Sequence, residues 1–399
     1  MIGSIVKYLG NFSKLSFNKT GRQLLIHELD KLSNLEDHVK RVDEKTLVKA
    51  LRELADWFKH NQTQMADDGF GTFYFETGWT SSYPETTGYI VPSLLEFSKF
   101  VNNPEFETIA KNALDWLLTI QKSSGGWQSG YVHQNKDEIV FNTGQVLRGL
   151  VAGYKHFNEQ NYLDSAIKAC EWLVAIQNEN GSFDKHVYLD RVRVYDSYVV
   201  APMLDVYDLC KIESFKTSAI KNIAWIIREK QTENGWFADC DNTVHKNDKP
   251  ILHTISYTID GILDCGIYLE NSEFIQAATQ PANVLLEQFL KDGKLPGRFD
   301  ENWNGSEQLI TTGCAQISII WEKLYGLTKD EKYKTGFENM NQLLVAIHQR
   351  NVSETKNTKG AIFGSFPLWG RYESFGCPNW ASKYLMDSLL FQLKMNDER

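Results

Sequence analysis

Apolar residues recur along this chain every three to four positions, and the helices that this spacing predicts come in pairs. The first helix of a pair ends at a glutamine, and a short polar turn with a glycine and an aromatic residue follows it. Three of these turns are closely alike, and they read QKSSGGW at 121–127, QNENGSF at 177–183 and QTENGWF at 231–237. They lie 56 and then 54 residues apart, a spacing typical of a repeat architecture in which one helical unit is copied and stacked.

The second helix of each pair is apolar on nearly all of its faces. Six such helices are predicted, and they begin at Thr86, Asn142, Asp196, His253, Thr311 and Asn379. First-helix partners for the first, fifth and sixth of them begin near Leu47, Ala282 and Met340. The sequence therefore predicts six helical hairpins, each an outer helix followed by an inner helix.

A helix that is apolar all round has to be buried on all sides, as it is between a central axis and an outer layer of helices. An open solenoid would instead show polar capping repeats at its ends. We therefore predict an all-α fold, an (α/α)6 toroid in which six hairpins close into a ring. We expect a single toroid domain at 43–399 and a helical extension at 1–42, whose amphipathic segment from Gly21 packs outside the ring.

The composition argues against some classes of binding partner. The 399 residues carry a net charge of −9 and no basic run, which argues against nucleic acid or an anionic membrane as a partner. The N-terminal segment is too polar for a signal peptide, and no apolar run approaches the roughly 20 residues of a spanning helix, so we expect a cytoplasmic protein. The six cysteines form no CxxC pair, which favours reduced core thiols over disulfides or metal ligands. We expect neither a metal nor a cofactor.

Candidate functional residues collect in the loops that lead into the inner helices. The N-termini of these helices direct unpaired N–H groups and positive dipole ends into one shared space at an end of the ring. The candidate catalytic residues are Glu85, Asp196, His253 and Tyr257. The candidate substrate-binding residues are Tyr83, Asn142, Arg193, Tyr195, Arg298, Trp369, Arg371, Tyr372, Asn379 and Trp380. The alternating segment VYLDRVRVYDSY at 187–198 predicts a short strand that projects Arg191, Arg193 and Tyr195 to one side.

Each of these residues also has a structural interpretation. Asp196 and Asn142 are good helix N-caps, and Glu85 suits the start of a helix. A histidine just after a loop, such as His253, is more often a hydrogen-bonded part of the fold than a catalytic group. A functional role is favoured because a closed ring would bring the following residues together at one aromatic-rich opening: Glu85, Asp196, His253, Tyr257, Arg298 and Arg371.

The glutamine turns resemble the QW motifs of the squalene cyclase and protein prenyltransferase superfamily, and NGWFADCDNT from Asn234 is similar to a segment of squalene-hopene cyclases. That resemblance implies the toroid fold. The cyclases protonate an alkene with a DxDD motif, whereas residues 239–242 of this chain read only DCDN. The prenyltransferases use a zinc site, for which Asp239, Cys240 and His253 would be needed here, and their spacing is not diagnostic.

The same predicted toroid resembles the six-hairpin glycosidases, the unsaturated glucuronyl hydrolases and the toroid portions of polysaccharide lyases and glucuronyl C5-epimerases. In those groups the catalytic and substrate-binding residues lie at the N-termini of the inner helices and in the loops before them. The segments HTISYTIDGILDCG from His253 and YPETTGY from Tyr83 also resemble uncharacterised toroid proteins of polysaccharide biosynthesis.

These resemblances imply a carbohydrate-active enzyme that acts on a uronate-containing oligo- or polysaccharide. For glycosidic cleavage, Glu85 and Asp196 are the candidate carboxylate pair. For abstraction of the C5 proton of a uronic acid, His253 or Tyr257 is the candidate base, with Arg193, Arg298 or Arg371 neutralising the substrate carboxylate. Two alternatives stay open: an isoprenoid cyclase or prenyltransferase-like enzyme, whose carbocations aromatic faces would stabilise, and a non-catalytic glycan-binding toroid.

Overall fold

The computed structural model describes residues 12–13, 17, 19–348 and 355–397. The part of the predicted N-terminal extension before residue 12 lies outside the described residues. The α-helices are, in chain order, α1 (Lys19–Ser33), α2 (Leu35–Lys40), α3 (Glu44–Thr63), α4 (Pro84–Val101), α5 (Glu105–Thr119), α6 (Val140–Phe157), α7 (Gln160–Ile176), α8 (Ser197–Cys210), α9 (Glu213–Glu229), α10 (Leu252–Tyr268), α11 (Ser272–Asp292), α12 (Thr311–Thr328), α13 (Glu331–Ile347) and α14 (Asn379–Asp397).

Six helices form an inner ring. Each of α4, α6, α8, α10 and α12 packs against the next in that order, α14 packs against α12, and α14 also packs against α4. The contact between the first and last inner helices closes the ring. The predicted all-α (α/α)6 toroid is therefore confirmed.

The pairing of inner and outer helices differs from the predicted order. Helix α3 packs against α14 rather than forming a hairpin with α4, and each other outer helix packs most closely against the inner helix that precedes it. The reason is loop length: three residues (102–104) connect α4 to α5, whereas twenty residues (120–139) connect α5 to α6. A short connection forces two helices to lie side by side and antiparallel. The long connections all enter the N-termini of inner helices, so they cover one end of the ring.

The glutamine turns link three outer helices, α5, α7 and α9, to the next outer helix around the ring. Gln121 Nε2 donates to the carbonyl of Gly125 within its turn and to that of Ser165 in α7, and Gln177 repeats the arrangement with Gly181 and with Ser218 in α9. Gly125 and Gly181 both have positive φ, which is why glycine recurs in these turns. The repeated motif is thus a structural device for stacking neighbouring hairpins.

In the described part of the chain, seven short strands lie in the long loops: β1 (Phe73–Tyr74), β2 (Gly78–Trp79), β3 (Arg298–Phe299), β4 (Gly305–Ser306), β5 (Leu309–Ile310), β6 (Ser365–Phe366) and β7 (Gly376–Cys377). They pair antiparallel in the order β2-β1-β7, β3-β4 and β5-β6. The β1–β7 and β5–β6 pairs join loops that are distant in sequence, so they fix the wall of the loop-covered end.

The prediction of a strand at 187–198 is wrong. The segment forms two 3-10 turns, Tyr188–Asp190 and Val194–Asp196, and Leu189 and Asp190 have positive φ. Among the described residues no strand pairs with it, and its backbone bond to another loop runs from Val194 N–H to the carbonyl of Asp239. As a result Arg191 is exposed, whereas Arg193 and Tyr195 are buried.

Helix α1 covers the amphipathic segment predicted from Gly21, and it lies outside the ring. Lys31 Nζ donates to the carbonyl of Ile347 at the end of α13, and the carboxylate of Glu28 accepts from the Leu368 N–H. No helix in the described part of the chain is long and apolar enough to cross a membrane. The six cysteines are unpaired, and all but Cys210 are buried.

Candidate functional site

A cavity of about 420 Å³ opens at the loop-covered end of the ring. Among the described residues, eight tyrosines line it, so phenol groups dominate this wall: Tyr74, Tyr83, Tyr89, Tyr131, Tyr188, Tyr195, Tyr257 and Tyr372. The other side chains able to stack on or hydrogen-bond a ligand are Phe141, Trp380, Glu85, Ser129, Gln134, Lys136, Asn142, Asn242, His253, Thr254 and Glu373. The cavity therefore combines flat aromatic faces with many hydrogen-bonding groups.

Glu85 lies in the first turn of α4, directly after Pro84, whose fixed φ suits the first position of a helix. Only 9% of Glu85 is exposed, and its carboxyl group faces the cavity. Burial raises the pKa of Glu85 to about 7, although the hydrogen bond from the Tyr83 hydroxyl opposes this shift. Near neutral pH, Glu85 can therefore both donate and accept a proton.

Tyrosines surround the Glu85 carboxyl group. Five of them have a pKa raised well above its ordinary value, mainly by burial and partly by the Glu85 charge: Tyr83, Tyr89, Tyr195, Tyr257 and Tyr372. All five stay protonated near neutral pH and can donate hydrogen bonds to a ligand.

His253 lies in the first turn of α10, and its ring centroid is 4.4 Å from that of Tyr257 and 5.9 Å from that of Tyr372. Its Nδ1 is 2.7 Å from Oε1 of Gln316 in α12. Because this amide oxygen is an acceptor, Nδ1 carries the ring proton and Nε2 keeps its lone pair. Burial lowers the pKa of His253 to about 4, so the imidazole is neutral at pH 7.

Tyr257 lies one turn further along α10, between Phe141 and Tyr198, whose ring centroids are 5.0 and 4.7 Å away. Its hydroxyl lies beside those of Tyr89 and Tyr384, yet no described group forms a hydrogen bond of normal geometry with it. A buried hydroxyl in this state is available to a ligand in the cavity.

Two residues of the last long loop also face the cavity. The indole Nε1 of Trp380 donates to the Tyr372 hydroxyl at 2.7 Å, and the Tyr74 hydroxyl donates to the Glu373 carboxylate. The charges of Glu85 and Glu373 both raise the pKa of Tyr372, which places this ring within electrostatic reach of the two carboxyl groups. Glu373 is thus a second acidic residue, beside Glu85, on the described part of the cavity wall.

Asp196 does not lie on the cavity wall. It is buried behind Tyr195 at the start of α8, and its Oδ2 has no hydrogen-bond partner among the described residues. Its side chain does not cap the helix either. Burial raises the pKa of Asp196 to about 8, against the opposing effect of the Arg193 guanidinium. The predicted Glu85–Asp196 carboxylate pair is therefore not brought to one cavity.

The three predicted arginines also lie off the wall, and two of them meet at one carboxylate. Arg193 is 2% exposed, and its Nη1 donates to Asn247 Oδ1 at 3.5 Å. Arg298 pairs with Asp241 at 3.0 Å and with Glu307 at 3.2 Å. Arg371 pairs with the same Glu307 at 3.1 Å. A ligand in the cavity therefore does not meet these guanidinium groups in this conformation.

Two more predicted residues have structural contacts instead. Asn379 is fully buried, and its Nδ2 donates to the Thr86 hydroxyl at 2.9 Å. Trp369 packs against Phe12 of the N-terminal extension, with 5.5 Å between ring centroids. The predicted residues that do line the cavity are Tyr83, Glu85, Asn142, Tyr195, His253, Tyr257, Tyr372 and Trp380.

Several residues of the cavity wall were not predicted, although the sequence positions of some of them indicate that they face the cavity. Tyr89 follows Glu85 by four positions, which places both on one face of a helix. Glu373 directly follows the predicted Tyr372. Tyr74 and Tyr131 come from loops that precede α4 and α6, and no spacing in the sequence indicates that they face inward.

Cations lie against three tyrosine rings, of which Tyr89 lines the cavity and Tyr198 and Tyr384 do not. The Arg148 guanidinium is 3.6 Å from the ring centroid of Tyr198, and Lys383 Nζ is 4.0 Å from that of Tyr384 and 5.2 Å from that of Tyr89. The negative faces of these three rings are thus already engaged by fixed positive charges.

No protein-family model and no curated protein matches the chain. Solved structures do resemble it. An unsaturated glucuronyl hydrolase specific for heparin is 14% identical, with a TM-score of 0.71 over 89% of this chain and 99% of that one. The unsaturated glucuronyl hydrolase of Bacillus sp. GL1 is 11% identical, with a TM-score of 0.69 over 88% and 97%. The cellobiose 2-epimerase of Bacillus thermoamylovorans B4167 is 12% identical, with a TM-score of 0.65 over 87% and 98%. At these identities the shared feature is the fold, a toroid like those of the six-hairpin glycosidases.

Proposed function

We propose that this protein is a carbohydrate-active enzyme that cleaves a glycosidic bond in a uronate-containing oligosaccharide, with Glu85 as the proton donor. The observation that carries the proposal is the Glu85 carboxyl group, which faces a tyrosine-lined cavity and has a pKa of about 7. A general acid works best when its pKa lies near the working pH, and a raised carboxyl pKa is the usual way to reach it.

The cavity wall suits a sugar better than an isoprenoid. Tyrosine and tryptophan faces can stack on the apolar faces of a sugar ring while amide, hydroxyl and carboxyl groups bind its hydroxyls. An isoprenoid cation needs a dry wall of aromatic faces, whereas the described wall of this cavity also carries the ionisable groups of Glu85, Glu373 and Lys136.

In the proposed reaction, protonated Glu85 transfers its proton to the glycosidic oxygen as the bond to the leaving group breaks. Glu373 is the second carboxyl group on the wall, and it either activates water or attacks the sugar. Tyr372, within reach of both acids, donates a hydrogen bond to the sugar between them. The Nε2 lone pair of His253 accepts a hydrogen bond from a sugar hydroxyl.

Abstraction of a C5 proton is less well supported. Tyr257 has a pKa raised well above its ordinary value, and the His253 imidazole, with a pKa of about 4, is a weak base. Lys136 is the one cationic side chain on the described cavity wall, so a uronate carboxylate would meet Lys136 and neutral hydrogen-bond donors rather than arginine. An enolate at C5 would lack a strong electrophilic partner.

The test is a screen of the wild-type protein with uronate-containing oligosaccharides and with neutral oligosaccharides of equal length. New reducing ends report glycosidic cleavage, an unsaturated product reports a lyase, and solvent deuterium at C5 reports an epimerase. We expect the wild type to cleave the uronate-containing set. Glu85→Gln should bind the same oligosaccharides but cleave them at least about a hundredfold more slowly. Glu179→Gln, a change at an exposed residue, is the control and should keep full activity.

Unchanged turnover in Glu85→Gln would exclude the proposed role of Glu85. Binding without turnover in the wild type would favour the non-catalytic glycan-binding toroid, and cleavage of the neutral set alone would exclude the uronate substrate.

A further inference from the structure

Three loops at the cavity end of the ring meet at one side chain that was not predicted from the sequence. Glu307 follows strand β4, and its carboxylate binds Arg298 of its own loop, Lys246 of the loop before α10 and Arg371 of the loop before α14. The Lys246 and Arg371 nitrogens lie 2.8 and 3.1 Å from the same oxygen, Oε1. The loops before three inner helices are thus joined at a single carboxylate.

Arg371 is directly connected to the cavity wall. It points outward to Glu307, whereas the next two residues, Tyr372 and Glu373, point into the cavity. We call these three residues, Arg371–Glu373, the rim arm. The Tyr372 carbonyl accepts from the Ser365 hydroxyl at 2.5 Å, and strand β7, just beyond the rim arm, pairs with β1. The chain is therefore fixed on the far side of the rim arm by β7, while Arg371 forms its contact with the neighbouring loops.

The three ion pairs of Glu307 differ in exposure. The Arg298 side chain is 11% exposed and also binds Asp241, whereas the Arg371 side chain is 72% exposed. An exposed ion pair is weak and is screened by salt, and a shielded one is much less so. Of these contacts, the Arg371–Glu307 pair is the one that separates most easily.

We propose that Glu307 is a positioning residue that holds the rim arm against the cavity, and that the Arg371–Glu307 ion pair is its releasable contact. When the pair separates, the rim arm keeps the contacts of Tyr372 with Ser365 and Trp380 and of Glu373 with Tyr74. Because the contact of Arg371 is lost, the rim arm moves away from Glu85 more often and the cavity widens toward solvent. The inference takes the cavity from the proposed function, but its test needs no substrate, so it can fail or hold independently of the reaction.

The test is amide hydrogen exchange, followed by mass spectrometry, in peptides that cover 367–377. This segment contains the bonded amides of Gly370, Phe375 and Gly376. We expect Arg371→Gln and Glu307→Gln to exchange about three to ten times faster than wild type in this segment. Glu301→Gln is the matched control, since Glu301 is exposed in the β3–β4 turn and takes part in none of the ion pairs of the described residues.

Varying the salt concentration shows whether faster exchange results from loss of an electrostatic contact or from a general loss of stability. Raising sodium chloride from about 0.05 to about 0.5 M should speed exchange of 367–377 in the wild type and leave Arg371→Gln unchanged. Exchange at the wild-type rate in Arg371→Gln would overturn the proposal, and so would acceleration spread evenly over the whole ring. If Glu307→Gln fails to fold, Arg371→Gln alone decides the question, because its side chain is exposed.

Discussion

The imidazole Nδ1 of His253 and the amide Oε1 of Gln316 lie 2.7 Å apart, across the boundary between α10 and α12. This hydrogen bond sets which nitrogen of the ring carries the proton, and therefore which nitrogen a ligand in the cavity meets. It is a contact between two inner helices, so the toroid itself orients the histidine.

Removing the acceptor should change both the tautomer and the pKa of His253. In Gln316→Met the pKa should fall further below about 4, because the hydrogen bond with Gln316 is what partly raises it against burial. Nitrogen-15 NMR of the imidazole should show the Nδ1–H tautomer in the wild type and a mixture in the variant. Gln308→Met, an exposed change just before the same helix, is the control. A wild-type ring protonated on Nε2 would contradict the assignment.

Two glycines of the inner ring should respond in opposite ways to a methyl group. A Cβ at Gly149 in α6 would collide with the Gly88 carbonyl oxygen of α4, so Gly149→Ala should lower the free energy of unfolding by about 1–3 kcal/mol. A Cβ at Gly326 in α12 would meet nothing within 4 Å, and Gly326→Ala should raise it by up to about 1 kcal/mol. Urea unfolding of both variants measures the difference. Equal effects would mean that α4 and α6 do not pack this closely.

The buried Asp196 should make stability depend on pH. Its pKa is raised from 3.8 to about 8, so the folded state keeps the proton more tightly than the unfolded state. This contribution is fully present below about pH 4 and is lost as the pH rises through about 8. Asp196→Asn stays neutral at both pH values. The free energy of unfolding of this variant minus that of the wild type should therefore be larger at pH 9 than at pH 5, by at least about 1 kcal/mol.

Thermal or urea unfolding at the two pH values checks this expectation. The control is Asp184→Asn, an exposed change in the preceding loop. An equal stability difference at pH 5 and pH 9 would show that Asp196 is ionised in the folded state.

The ring could be predicted from the sequence because its signals are local. Gln121 and Gln177 recur at a fixed period since each has to reach the next outer helix, and glycine recurs in the turns since positive φ is required there. Glu85 and His253 could be singled out for the same reason, as both lie in the first turn of an inner helix.

The wall of the cavity could not be predicted in full, because loop residues face inward or outward according to partners far away in the chain. Arg298 and Arg371 turn from the cavity because Glu307 accepts both, and no spacing in the sequence marks that carboxylate as their partner. Asp196 starts an inner helix as predicted, yet Tyr195 takes the place on the wall. The pairing of Tyr74 with Glu373 joins residues 299 positions apart.

Burial in the tyrosine-lined cavity raises the pKa of Glu85 to about 7, and the proposed proton transfer depends on this shift. The most direct test is carbon-13 NMR titration of the glutamate carboxyl groups, with the Glu85 signal assigned by its loss in Glu85→Gln. We predict a titration midpoint for Glu85 near pH 7, whereas a midpoint near 4.5, the ordinary value, would contradict the account.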